Sequence, residues 1–415
     1  MARIYLLIFS VFLFAKFVIS HDAQAQTPRY ELLPSPDLWY NDVDGIRIGL
    51  RLKGQVPGTF EDGPHRLDAG IWLGLWFPEV PVSYYIAYIE PIQAWSEYGS
   101  EASVQIISSI RTGYHNHGIG LNKRWQQGFD ERRYREFGLH NSFERRFSHE
   151  YAPFPLLWSD HSKLLTFASF ELQDDHSLGW FNLQATAGLQ FLDEAYSLAT
   201  ITASNRTEFH DYWGIRLRVY SGISSSGTDP EYLFSRSMRP AIQWMGNGFT
   251  RAKGTIPTPW MQSGNIQVAG GANVRGYTNR DIHSFKTCGI AEDNTGCQIE
   301  PFLFNSVLAL NAELDYWNPV AVAFNKIPYI SEFLSFRSYL FFDTGTSLGI
   351  TEMDPSGAFS NAGAGFSLSL NIPDYLGKPR GFVLRYEMPL WLSHPGDEDS
   401  FKLRHLVGFG AVISF

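Results

Sequence analysis

Along most of its length the chain alternates apolar and polar side chains, and this period of two leaves few folds open to it. Ile46, Ile48, Leu50 and Leu52 share one side of a segment whose other side carries Arg47, Gly49, Arg51 and Lys53. The pattern returns at Ile215, Leu217 and Val219 against Arg216 and Arg218, and at Leu308, Leu310, Ala312 and Leu314 against Asn311, Glu313 and Asp315. Near the end, Phe382, Leu384, Tyr386 and Met388 alternate with Arg385 and Glu387. Successive side chains of a strand point to opposite faces, so each segment reads as a strand with one apolar face. After residue 20 no uninterrupted apolar run reaches the roughly 18 residues of a membrane-spanning helix. The sequence is therefore all-β, either a soluble multidomain protein or a transmembrane barrel.

Composition favours the barrel. The chain is 44% hydrophobic and only 18% charged, with 12 Trp, 20 Tyr and 32 Phe, so a large apolar surface must be covered. The polar faces carry Gly, Arg and Glu rather than the Lys, Thr and Ser usual on a water-facing sheet, which suits a lumen. Trp72, Trp76, Tyr84, Tyr85, Tyr88 and Trp391 fit interfacial aromatic girdles. A net charge of -9 gives no basic footprint, so nucleic acid is not an expected partner.

Residues 1–25 have the form of a secretory signal peptide. Arg3 precedes the apolar stretch Ile4 to Ala15, and Ala23-Gln24-Ala25 is a small-x-small cleavage site. Removing 25 of 415 residues leaves 390, enough for about 16 strands of one barrel at ordinary density. In an oxidising compartment Cys288 and Cys297, separated by eight residues, are expected to form one disulfide. Residues 26–43 read as a short periplasmic lead-in and 44–415 as the barrel, with 44–53 as first strand and 402–415 as last. Residues 231–244 are placed as a strand. Residues 140–148 are placed as a strand, but the Arg/Glu-rich stretch from Gln126 to Arg146 also reads as a long external loop, so counts of 14 and 16 both stand. Residues 246–300 lack sustained alternation and are too long for an idle hairpin, which marks a lid folded into the lumen.

Inside that lid stands Gly270-Gly271-Ala272-Asn273-Val274-Arg275-Gly276-Tyr277, and further on Phe341-Phe342-Asp343-Thr344-Gly345. Together with Glu313, Gly363-Ala364-Gly365-Phe366, Arg385-Tyr386-Glu387 and the terminal Phe415, these resemble the BamA-like outer-membrane assembly and secretion factor superfamily, the bacterial surface antigen type barrels. The match runs through residues 270–415. The resemblance implies a 16-stranded barrel with an inserted lid, an Arg275–Asp343 contact flanked by Phe341 and Gly345, and Phe415 as an assembly signal. It also implies a seam between first and last strands, which Gly45 and Gly49 would weaken. The chemistry agrees: a guanidinium carried into a barrel is costly unless paired, and it fits a carboxylate bidentately. Gly276 permits the close turn, Tyr277 fills the wall, and Glu313 is the second acceptor. Residues 26–43 are too short for the periplasmic substrate-binding domains of that superfamily, so a stand-alone barrel is expected.

No His-Glu-x-x-His or Walker motif occurs, since His149-Glu150 is followed by Tyr151-Ala152-Pro153. His115 and His117 share a strand face without a nearby carboxylate and read as rim or lumen residues, and Asp174, Asp175 and His176 as a loop cluster. The expectation is a non-enzymatic, monomeric outer-membrane barrel without cofactor or metal. Embedded in the lipid bilayer, it would act in outer-membrane assembly or in polypeptide or lipid translocation with a separate periplasmic partner. The competing expectation is a passive channel, biased toward anions by Arg47, Arg51, Arg216 and Arg218.

Overall fold

The computed structural model describes residues 30–41, 45–55, 65–76, 81–111, 113–126, 133–148, 154, 157–210, 212–244, 258–288, 303–327, 334–348, 358–373 and 379–412. The expected signal peptide, Cys297 and Phe415 lie outside the described residues, as does the Cys288 side chain. Among the described residues seventeen strands form one sheet. They are β1 (Glu31–Asn41), β2 (Gly45–Gln55), β3 (Arg66–Gly74), β4 (Val82–Pro91), β5 (Ser100–Arg111), β6 (Tyr114–Gln126), β7 (Tyr134–Arg146), β8 (Lys163–His176) and β9 (Gly179–Gln190). There follow β10 (Tyr196–His210), β11 (Trp213–Ser224), β12 (Ile266–Gln267), β13 (Ser306–Asp315), β14 (Leu334–Leu348), β15 (Phe359–Pro373), β16 (Pro379–Leu392) and β17 (Leu406–Val412). Sixteen of these are antiparallel neighbours in chain order, and β12 belongs to the lid. The result is an all-β transmembrane-type barrel, and β7 removes the 14-strand count.

The apolar faces point outward. Ile46, Ile48, Leu50, Ile71, Leu73, Ile119, Ile201, Leu308 and Leu340 are all exposed, too much contiguous apolar surface for water. Among the described residues no helix is long and apolar enough to cross a membrane. The helix Pro319–Asn325, of sequence PVAVAFN, packs on β14 beside an exposed Trp317 and Ile327, as an interfacial segment would.

Two placements differ from the sequence expectation. Residues 31–41, expected ahead of the barrel, are its first strand, paired with β2 along its whole length. Leu32, Pro34, Pro36 and Leu38 share its outward face, so two prolines stand where alternation would show aliphatic side chains. The expected first strand is consequently β2. Residues 231–244 are not a strand but a 3-10 turn at Pro230–Tyr232, a single bridge at Phe234 and a helical turn at Ala241–Trp244. From Glu231 to Met238 burial is continuous apart from Leu233, because the segment lies inside the barrel and has no solvent face.

The lid is accordingly longer than expected: the connection from β11 to β13 spans residues 225–305. It brings its own core, in which Met238, Trp244, Met261, Ile282 and Phe285 pack on Tyr114, Leu157 and Trp158. A second cluster joins Ala272, Val274 and Tyr277 to Tyr220, Val307, Phe359 and Leu392 of the wall. Toward the rim where the chain enters and leaves the sheet, the lumen is polar and partly solvated, with Arg66 paired to Glu101 and Arg124 to Glu136.

Candidate functional site: the clasped lid

Arg275 opens a 3-10 turn, Arg275–Tyr277, that continues into the helix Thr278–Cys288. The approach is shaped by backbone that L side chains avoid: Gly270 and Gly271 have φ of 127° and 60°, and Asn273 has 55°. A Cβ at Gly271 would also stand 2.5 Å from the Met238 carbonyl oxygen. Gly276 is needed for space, since a Cβ there would lie 2.3 Å from Leu392 Cδ2 and 2.9 Å from Asn361 Cβ.

The wall supplies three carboxylates from three of its strands, β13, β14 and β16. Arg275 Nε donates to Asp343 Oδ2 at 2.9 Å and Nη2 to Asp343 Oδ1 at 2.8 Å, a two-pronged contact with β14. Nη1 donates to Glu313 Oε1 on β13 at 2.9 Å and to Glu387 Oε1 on β16 at 2.6 Å. The guanidinium carbon lies 4.2 Å from the centre of the Phe341 ring. Arg275 and Asp343 are fully enclosed. Burial alone would weaken the arginine's charge, but Asp343, Glu387 and Glu313 outweigh it and hold the pKa well above the usual value.

The carboxylates are themselves held. Asn311 Nδ2 and Asn361 Nδ2 each donate to Asp343 at 3.1 Å, while Asn361 Oδ1 accepts from the Gly276 N–H at 3.2 Å. Glu313 accepts from Arg337 at 2.6 Å and Glu387 from the Tyr339 hydroxyl at 2.6 Å. The Tyr277 hydroxyl accepts from the His394 N–H at 3.1 Å, tying the turn to the β16–β17 connection. At Gly345 a Cβ would lie 3.0 Å from the Leu308 carbonyl oxygen and 3.2 Å from Val274, so that glycine lets the lid approach β14.

Four further anchors escaped the sequence reading. Glu387 stands on the polar side of its alternating segment, opposite Tyr386, and that inward parity was the signal for a third acceptor. Within the lid, Arg236 Nε donates to Asp281 Oδ1 at 2.9 Å and Ser237 closes the other oxygen at 2.7 Å. On the β6–β10 side the polarity reverses. There the lid brings acids and the wall a base, with Lys163 at 2.7 Å from Glu231 and the Tyr196 hydroxyl donating to Asp229 at 2.9 Å. The Tyr232 hydroxyl reaches Glu144 at 2.8 Å. Finally, β12 runs parallel to β17, Ile266 opposite Val407 and Gln267 opposite Gly408, so the lid occupies the edge of the last strand that β16 leaves free.

Several expected roles fall elsewhere. Gly45 and Gly49 lie on β2, where a Cβ would stand 2.4 Å from Trp76 and 2.1 Å from Trp72, so they make room for indoles. Trp72 faces inward, its Nε1 donating to Asp37 at 2.8 Å and the Arg47 guanidinium 4.1 Å above it. Of the arginines expected to line a channel, Arg51 pairs with Asp68 at 3.4 Å and Arg218 donates to the Gly271 carbonyl at 2.7 Å and to Asn311 at 2.9 Å. His115 and His117 share the outward face with Ile119, His117 hydrogen-bonded to Ser108 at 2.9 Å. Among the described residues no cluster of three metal-ligating side chains occurs.

No family model matches this sequence, and no curated protein matches it. Among solved structures the chain is similar to BamA from Haemophilus ducreyi lacking POTRA domains 1-3, at TM-score 0.47 and 12% identity over 92% of this chain and 71% of that one. It is also similar to CdiB from Escherichia coli, at TM-score 0.46 and 11% identity over 94% of this chain and 64% of that one. CdiB from Acinetobacter baumannii follows at TM-score 0.41 and 12% identity, over 94% and 60%. The class is defined by the chain's own geometry: a transmembrane-type β-barrel whose lumen holds an ion-paired lid.

Proposed function

We propose that this chain is an outer-membrane β-barrel whose lid keeps the lumen shut, and that it serves outer-membrane assembly or the translocation of polypeptide or lipid together with a separate periplasmic partner. The observation that carries this reading is the enclosure of Arg275 by Asp343, Glu313 and Glu387 on three wall strands. A solute pore has no use for a buried four-group ion cluster that fastens a plug, because removing two or more charges from water costs several kcal/mol per ion before pairing. A device that must stay closed until a partner or cargo releases it does. The polar vestibule at the rim of the chain ends is where such a partner would dock, and the edge of β17 at Val407 and Gly408, where the lid pairs, is the part of the wall a released lid would uncover.

Planar-bilayer recording of the purified full chain tests this. Wild type is expected to give small, erratic openings, and Arg275→Ala a large, steadier conductance. A large, steady, anion-selective conductance from wild type would instead establish the passive channel.

A further inference from the structure

The outward wall is mostly apolar, and β7 carries a cation near each of its borders. Arg135 and Arg145 are exposed, on the same outward face as Phe137, Leu139, Asn141 and Phe143 between them, with Asn141 bonded to Thr166 of β8. Ten residues at about 3.4 Å each, tilted by about 40°, put them about 26 Å apart along the barrel axis, close to the roughly 25 Å height of a barrel's apolar band. Arg145 has a protein acceptor, the Asp160 carbonyl at 3.3 Å. Arg135, at the rim of the chain ends, has no hydrogen bond or ion pair among the described residues.

Its surroundings form a crevice of about 460 Å³ across β6, β7 and β8 that includes Trp125, Phe170 and Leu172. Arg135 lies directly opposite Trp125 in the β6–β7 register and opposite Leu172 in the β7–β8 register. Lys123 stands opposite Phe137, which makes it the diagonal neighbour of Arg135 on the same face, within about 7–8 Å and within reach of a shared anion. Lys123 Nζ lies 5.5 Å from the Trp125 ring centre and donates to the Trp95 carbonyl at 2.5 Å. Trp95 itself is 59% exposed, on the connection that laps over this border. The acid in the crevice, Asp174, is already engaged by Arg133 at 3.3 Å.

Two outward cations, Arg135 in the crevice without a partner among the described residues and Lys123 beside it, stand at the edge of a lipid-facing surface above indole, phenyl and leucyl side chains. Cations placed there gain from a phosphate at headgroup depth, while the aromatic and aliphatic groups below match acyl chain. We propose that this crevice is a binding site for an anionic glycerophospholipid, with Arg135 and Lys123 holding the headgroup phosphate and Trp125, Phe170 and Leu172 contacting the first acyl carbons. The site rests on the reading of the wall as lipid-facing. A chain that stayed soluble without detergent would overturn that reading before any lipid was added.

The test is native mass spectrometry of the full chain in non-ionic detergent, titrated with phosphatidylglycerol, with phosphatidylcholine and inorganic phosphate as comparison probes. Wild type is expected to retain one phosphatidylglycerol about tenfold more tightly than phosphatidylcholine, and the Lys123→Gln/Arg135→Gln variant to lose that preference. Arg145→Gln, at the other border, is expected to keep it. Heat-modifiable gel migration shows that each variant is folded, and Arg135→Gln alone, which alters an exposed side chain, serves if the double variant is not. Equal binding by wild type and the Arg135 variants, an equal loss in Arg145→Gln, or displacement by millimolar phosphate would each overturn the assignment.

Discussion

Lys163 and Glu231 meet at 2.7 Å with each side chain 1% exposed, a wall base holding a lid acid where Arg275 and Asp343 join a lid base to a wall acid. The lid is thus fastened on two sides of the lumen by pairs of opposite polarity. Exchanging the two fastenings would set like charge against like, so the arrangement admits one seating of the lid.

Breaking the first pair by Lys163→Met leaves Glu231 enclosed with Ser159 as its nearest donor. The expected loss is about 3–5 kcal/mol, with the double variant Lys163→Met/Glu231→Leu recovering part of it because no charge is then stranded. The temperature of the heat-modifiable gel transition reads both. A single variant as stable as wild type would show that the pair does not fasten the lid.

At the other fastening, Arg275→Lys keeps the charge but not the fork that spans Asp343, Glu313 and Glu387. Limited proteolysis of the lid is expected to rise in the order wild type, Arg275→Lys, Arg275→Ala. Asp343→Asn should fall near the alanine variant, because Asp343 receives both prongs and the amides of Asn311 and Asn361 as well. Glu313→Gln should be milder, since Arg275 keeps two other carboxylates.

This fastening was largely legible in the sequence and the other was not, for a physical reason. Asp343 lies on a strand, where parity fixes which way a side chain points, and Arg275 was singled out by the resemblance that its Val-Arg-Gly-Tyr motif carries together with the Asp343 strand. Asp229, Glu231 and Tyr232 lie in irregular chain enclosed on every side, where alternation carries no orientation, so YLFSRSM read as one more strand. β1 was hidden by the opposite fault. Pro34 and Pro36 interrupt its apolar face, a composition tolerated at a sheet edge but not in a central strand. The strand total came out at sixteen because the missed β1 and the misread 231–244 offset each other.

Space rather than backbone angle makes Gly276 obligatory, which separates it from Gly271. Gly276→Ala drives a methyl against Leu392 and Asn361 and is expected to cost about 1–3 kcal/mol as overpacking, relieved in part by Leu392→Ala in the same chain. Gly271→Ala meets backbone at a φ of 60° and should not be relieved by any side-chain truncation nearby. Thermal gel transitions of the two single variants, and of each combined with Leu392→Ala, test the distinction. Rescue of both glycine variants alike, or of neither, would contradict it.

The parallel contact of β12 with β17 makes a prediction about movement. Ile266 stands opposite Val407, and the Val407 N–H donates to the Asn265 carbonyl at 2.7 Å, so the segment is seated as a strand rather than merely near one. Paired residues of adjacent strands approach closely enough for a disulfide after modest adjustment. Ile266→Cys/Val407→Cys is expected to cross-link on mild oxidation, seen as a reductant-sensitive change in gel migration. If lid release precedes the barrel's work, the oxidised variant should suppress the enlarged conductance of Arg275→Ala, and reductant should restore it. Cross-linking with no effect on that conductance would mean that the current passes without the lid leaving β17, and the edge contact would then be a fixed part of the wall.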